Sequence, residues 1–269
     1  MHIPDLSSFP SFSLESLLRT CFGGKSDNVR QVCILIDLPD LSLMKDNSFL
    51  EDKIKFPVQA KAFEHFYQPL LRGDCESLGY ENIDLFAFKT TGGSNLDPED
   101  YAADSFGNSL SLEKDICAKY DLILAITDYS LTAPLTALAK QFGFRGATLH
   151  GVNDIILNSG LSVDYNVISE QAEIFRSVLD EADSLELEFK LMDSTYNLHI
   201  DCDRQTAQKS HGLCPVGKPD VANLPAGEVY FVPTGASGSF PFQFSDGTLA
   251  EMEVSEGTIH NAVFIKGDS

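Results

Sequence analysis

The chain has 269 residues, 43% hydrophobic and 22% charged, with 19 Phe and 8 Tyr, so material for a buried core is ample. Forty acidic residues against nineteen basic ones give a formal net charge of -21, which repels phosphate backbones and argues against nucleic-acid binding and anionic membranes. No apolar run approaches the ~18 residues of a membrane span, and the start MHIPDLSSFPSFSLESLL lacks the basic opening and long apolar stretch of a secretory signal, so a cytoplasmic location is expected.

The first half alternates strand and helix signals. Val32 to Ile36 (VCILI) is an apolar run closed by Asp37 and Pro39, and predicts a buried strand. Val58 to Leu71 has helical spacing, with Phe63, Phe66, Leu70 and Leu71 on one side. Ile83 to Phe88 (IDLFAF) alternates like a strand, Leu110 to Lys119 reads as a helix, and Leu122 to Ile126 (LILAI) as a second buried strand. Leu135 to Phe142 continues as a helix ended by Gly143, and Gly146 to Leu149 returns to strand. Short apolar strands separated by helices predict a parallel sheet covered on both faces.

A longer amphipathic helix follows, with Asp164 as its N-cap and Val167, Ile168, Ala172, Phe175, Val178, Leu179 and Ala182 recurring at helical spacing. Beyond about residue 185 the pattern changes. LELEFKL, TYNLHID, EVYFV, FPFQF, AEMEV and HNAVFI are short strands separated by Gly, Pro or Asp turns, which predicts antiparallel structure. The expected organisation is therefore α/β: a Rossmann-like parallel-sheet domain over 1–185 and a mostly antiparallel β-rich domain over 186–269.

Several motifs fail on inspection. Gly24-Lys25-Ser26 resembles the end of a phosphate-binding loop, but Arg19 stands where that loop needs Gly, and a strand follows rather than precedes it. Gly235-Ala236-Ser237-Gly238-Ser239 misses a nucleophile elbow by its last position, and no G-x-G-x-x-G follows an apolar strand. His199-x-x-Cys202 and His211-x-x-Cys214 offer four soft ligands that could hold structural zinc. Positions three apart on a strand point to opposite faces, however, so a satisfied buried histidine and an inert thiol are the better reading. The cysteines at 21, 33, 75, 117, 202 and 214 are expected to be reduced thiols.

The segment Asn223 to Val229, NLPAGEV, holds the strongest candidate. Leu224-Pro225-Ala226-Gly227 fits a type I turn, and Glu228 then opens the strand VYFV, which fixes a hard oxygen ligand on rigid backbone. The longer string GLCPVGKPDVANLPAGEVYFVP (212–233), with YDLILAITDYSLTAPLTALAKQFGFRGAT (120–148) and VLDEAD (178–183), resembles the aminopeptidase T family of thermophilic leucyl-type metallopeptidases. The resemblance covers most of the chain. It implies that Glu228 is a metal ligand and that the cofactors are two divalent ions, zinc or cobalt. These would lower the pKa of a bridging water, polarise the scissile carbonyl and bind the free amine, so that N-terminal residues are removed from peptides. A homodimer is implied as well.

The same resemblance implies that the site is only partly encoded here. The family's further ligands, a Glu, a G-T-x-H string and a His-x-Asp pair, lie well beyond its N-L-P-x-G-E-V string, whereas 41 residues follow Glu228. Gly257-Thr258-Ile259-His260 comes too soon to be the G-T-x-H string, and His260 is read as a strand-end residue. Glu251, Glu253 and Glu256 are expected to face solvent. The expectation is thus a fragment, an inactive relative, or a protein completing its site in trans, and the ending IKGDS favours a fragment. Two alternatives stand beside the peptidase: a relative of iron-dependent dioxygenases that open dihydroxypyridine rings, with which SLTAPL and GFRGAT are compatible, and a non-catalytic binding or oligomerising module.

Overall fold

The computed structural model describes residues 8–24, 31–214 and 216–266. Its α-helices are α1 (Leu14–Phe22), α2 (Pro57–Ala62), α3 (Gln68–Leu71), α4 (Thr132–Phe142), α5 (Asp154–Leu157) and α6 (Tyr165–Glu181), and the helix expected over 110–119 is a π-helical turn at Leu112–Cys117. In chain order, the strands that precede α6 are β1 (Gln31–Leu38), β2 (Asn82–Lys89), β3 (Ala102–Asp104), β4 (Ser109–Leu110), β5 (Leu122–Thr127) and β6 (Arg145–His150). Those that follow are β7 (Ser184–Leu191), β8 (Ser194–Asp201), β9 (Gln208–Ser210), β10 (Asp220–Asn223), β11 (Glu228–Tyr230), β12 (Gly235–Gln243), β13 (Leu249–Ser255) and β14 (Thr258–Lys266). The fold is mixed α/β, with one largely parallel sheet and one antiparallel sheet.

Two compact units divide the chain: Met1–Ser169 with Ser210–Gly227, and Glu170–Lys209 with Glu228–Ser269. The first contains a sheet of order β10-β6-β5-β1-β2-β3-β4, parallel from β10 through β2 and antiparallel at β3 and β4. Its central strands are apolar without interruption because both faces are covered. Val32, Ile34 and Ile36 of β1, with Leu122, Leu124 and Ile126 of β5, enter one core together with Leu14, Leu17 and Leu18 of α1. Cys33 and Leu35, with Ile123 and Ala125, enter the other core together with Leu135 and Ala139 of α4.

The helical run expected over 58–71 forms, but a π turn over Phe63–Tyr67 separates α2 from α3. Phe66 and Leu70 are buried, whereas Leu71 is 55% exposed. The extra residue in the π turn rotates the last turn outward. Gly143 caps α4 in the left-handed region, as its place in the sequence implies.

In the second unit the sheet order is β14-β13-β12-β8-β7, joined by antiparallel pairs. Directly paired residues share a face. Leu185, Leu187 and Phe189 pair with Ile200, Leu198 and Tyr196, while Phe240 and Phe242 pair with Met252 and Ala250. Glu186, Glu188, Glu251 and Glu253 alternate with them on the opposite face, as the sequence pattern requires. A separate two-stranded pair joins β9 and β11.

The single division read near residue 185 takes a different form. The units interleave, because the short strand β10 pairs in parallel with β6 as the edge of the first sheet. Ala222 and Leu224 enter one core of that sheet, and Val221 packs on the other. Four residues are too few for periodicity to reveal such a strand. The N-cap at Asp164 is present, its Oδ1 accepting from the Asn166 amide at 2.9 Å. The apolar stripe expected along α6 is not fully buried, however, with Phe175 65% and Val178 63% exposed.

Candidate functional site

Each residue of NLPAGEV has a distinct setting. Asn223 ends β10, and its Oδ1 accepts from the hydroxyls of Thr132 and Thr148, both at 3.3 Å. Those two hydroxyls lie 2.7 Å apart. Leu224 is buried and its amide donates to the Thr148 carbonyl at 2.8 Å. The expected type I turn is replaced: Leu224-Pro225 is cis, and the Gly227 amide donates to the Ser210 carbonyl at 2.9 Å instead of closing on Leu224. Asn223 to Gly227 is therefore a clamp on the edge of the parallel sheet.

Glu228 begins β11, with an exposed side chain. Among the described residues no hydrogen bond or ion pair engages its carboxylate, and no group of three or more His, Cys, Asp or Glu stands where it could hold a metal ion. The described residues therefore do not assemble the two-metal centre implied by the peptidase resemblance.

His199 on β8 is satisfied but not buried: Glu186 Oε1 lies 2.5 Å from Nδ1, and Asp201 Oδ1 lies 3.0 Å from Nε2. These carboxylates, Glu186 foremost, raise its pKa above the ordinary imidazole range. Cys202 and Cys214 are buried free thiols, as are the remaining four cysteines. His260 lies within β14, where its Nε2 meets the Ser255 carbonyl at 2.9 Å. Gly24 is described, whereas Lys25 and Ser26 of the rejected phosphate-loop motif lie outside the described residues.

A polar cluster that the motifs did not reveal lies at the carboxyl ends of the parallel strands. Asp37 near the end of β1 is 1% exposed. Its Oδ1 accepts from the Asp128 amide at 3.0 Å and from Gln59 Nε2 at 2.9 Å. Gln59, on α2 and 0% exposed, also reaches the Asp37 carbonyl at 2.9 Å and Asp128 Oδ2 at 3.2 Å. Burial pushes the Asp37 carboxyl above the ordinary carboxylate range, against the lowering effect of the Asp128 amide. Next to it, the loop after β2 is tied across β5: Asn95 N–H donates to the Ser130 carbonyl at 2.7 Å, and Asn95 Oδ1 caps the Ala133 amide at 3.0 Å. The only signal in the sequence was that each apolar strand ends on a polar residue.

A cleft of about 350 Å³ on the first unit is lined by Phe12, Glu15, Glu64, His65, Arg72 and Asp74, among others. Its charges are largely matched, Arg72 to Asp74 at 3.0 Å and Glu15 to Arg19 at 2.6 Å. No helix among the described residues is long and apolar enough to cross a membrane.

No family model matches the chain, and no curated protein matches it. Among solved structures, 2,5-dihydroxypyridine dioxygenase from Pseudomonas putida KT2440 aligns with a TM-score of 0.49 and 11% identity, over 88% of this chain and 63% of that one. The chain thus spans less than two thirds of that protein's length.

Proposed function

We propose that this chain contributes Glu228 as a ligand to a divalent-metal centre of the aminopeptidase T type, in which a metal-activated water hydrolyses the N-terminal peptide bond. The observation that carries the proposal is the setting of Glu228. Its carboxylate opens a strand, is exposed, and has no partner among the described residues, while its backbone lies in the paired strand β11. A carboxylate held on ordered backbone loses little entropy on binding a cation. The remaining ligands must come from groups not gathered around it in the described residues, so no catalytic step is assigned to particular side chains.

Zinc and cobalt titration of wild type and Glu228→Ala tests the reading, with folding followed by circular dichroism. Wild type is expected to bind metal, and the variant to bind more weakly by at least about tenfold, the loss that removal of even an outer-shell partner causes, while remaining folded. Equal affinity in both proteins overturns the assignment. A second reading, iron-dependent opening of a dihydroxypyridine ring, is compatible with SLTAPL and GFRGAT. Ferrous loading with oxygen uptake would support it, and leucine release from leucyl peptides with zinc or cobalt would support the first.

A further inference from the structure

Among the described residues, both clusters of buried apolar side chains belong to the first unit. The buried apolar residues of the second are Ala172, Tyr196, Cys202, Ala207 and Ala250, of which only Tyr196 is large. The second unit thus has a five-stranded sheet without a core beneath it. A sheet that is apolar on one face must bury that face against a second layer. The apolar residues of α6 do not supply the layer, because Ile174, Phe175 and Val178 are exposed. The side of α6 that is held carries charge instead: Glu173 pairs with Lys209 at 2.9 Å, and Asp180 Oδ1 accepts from the Ala207 amide at 2.6 Å.

The open face runs from one edge of the sheet to the other. Leu187 of β7 is 39% exposed, Phe242 of β12 45% and Phe264 of β14 50%. Cross-strand pairing puts them on one face: Leu187 lies opposite Leu198, and Leu198 opposite Gly238, while Phe242 and Phe264 flank Ala250. No paired position on this face carries a charge. The face is also graded along its strands. Phe189, Tyr196, Phe240 and Phe242 gather at one end, the Phe189 and Phe240 rings 6.3 Å apart. Ala236, Gly238 and Val254 lie at the other. Gly238 cannot carry a side chain, since a Cβ there would collide with the Asn197 carbonyl oxygen, so the low end of the face is fixed by the backbone.

We infer that this face packs on the same face of a second copy of the chain, so that two sheets form one sandwich across a two-fold axis. Size agrees. Five strands about 4.8 Å apart and about eight residues long present roughly 600 Å2, the upper end of what a monomer leaves open. Two such faces together bury about 1,200 Å2, where stable interfaces begin. Charge agrees as well. At a net charge of -21 copies repel one another over most of their surface, and Glu186, Glu188, Glu251 and Glu253 make the other face of this sheet acidic. A basic partner is drawn to that acidic face, whereas the uncharged one can meet its own like. Shape completes the match. A two-fold axis lying between the sheets and across the strands sets the aromatic end of each copy over the low end of the other, so that large side chains meet small ones.

Sedimentation equilibrium of the full chain at micromolar concentration tests this, with folding followed by circular dichroism. Wild type is expected to sediment at twice the mass of the chain. Phe242→Lys places a like charge from each copy in the contact and should weaken association by about 100-fold or more. Ser237→Lys makes the same charge change on the same strand but on the opposite face, and should leave the dimer intact. Should Phe242→Lys unfold, Leu187→Lys at the other side of the face takes its place, with the same loss expected. A monomeric wild type overturns the inference and leaves the face to a partner of another kind. Undiminished association in a folded Phe242→Lys or Leu187→Lys protein overturns it too, as does equal loss in Ser237→Lys, which would trace the effect to added charge and not to this face.

Discussion

Replacing Gln59 with Leu removes the amide while keeping most of the volume, and its cost can be worked from the contacts it makes. The hydrogen bond to the Asp37 carboxylate is to a charged acceptor and contributes about 1.5–3 kcal/mol, and that to the Asp37 carbonyl contributes about 1 kcal/mol. The longer contact to exposed Asp128 adds little. Against these losses, removing the buried Oε1, which has no partner, returns about 1–3 kcal/mol. The net expectation is a destabilisation of about 1.5 kcal/mol, or about 3–6 °C in melting temperature for a unit of this size. The loss should depend on pH. Asp37 has a folded-state pKa raised by burial, so its favourable contribution is complete below its unfolded value and is lost as pH rises through the folded one. Gln59→Leu raises the folded value further and enlarges that loss at neutral pH. Urea unfolding of both proteins at about pH 5 and about pH 8 measures the effect. Equal stability at the higher pH, or a difference just as large at the lower one, refutes the reasoning.

Three further outcomes follow from other contacts. In Gly146→Ala the new Cβ would lie 2.6 Å from the Ile123 carbonyl oxygen, on backbone held by β5, so the first unit should lose about 3 kcal/mol or more; an unchanged urea midpoint would contradict this. Burial pushes the Cys21 and Cys117 thiols up to about 12 and Cys75 up to about 11, so a thiol reagent at mildly alkaline pH should leave the native protein almost unlabelled and find six thiols after denaturation. Rapid native labelling would show that the cores open readily. The pKa of His199 is raised by Glu186 and Asp201, so its contribution is present below the unfolded value and lost as pH climbs through the folded one. An NMR titration should place it above the ordinary imidazole value of about 6.5 and show it falling in Glu186→Gln; a value at or below the ordinary one in wild type would count against the pairing.

The placement of Glu228 and of Asp37 shows how far residue patterns reach. Glu228 was found through a string of neighbours in the chain, and its position at the start of a strand is a local property that such a string specifies. Its lack of further carboxylates or imidazoles nearby among the described residues is a property of distant segments, and no local pattern encodes it. The Asp37–Gln59–Asp128 cluster joins residues 22 and 91 positions apart. In the sequence Asp37 is simply the polar residue that closes an apolar run, and Gln59 is one of several polar residues in a helix. Strand geometry separates His199 from Cys202 and makes it a satisfied buried histidine in expectation, yet it lies on the carboxylate face and is satisfied there, partly exposed, by its neighbours.

By itself the sequence determined the class of structure: unbroken apolar runs made strands covered on both faces, alternating ones made strands with one charged face, and Asp164 and Gly143 set helix ends. These features depend on contacts within a few residues, where side-chain period and backbone preference are decisive. Tertiary structure alone decided that Asp220–Asn223 returns to the parallel sheet, that the two units alternate along the chain, and that Asp37 and Asp128 meet at the carboxyl ends of neighbouring strands. Strand order is chosen by the packing of whole elements, and a four-residue edge strand is stabilised by the cores it closes rather than by any preference of its own.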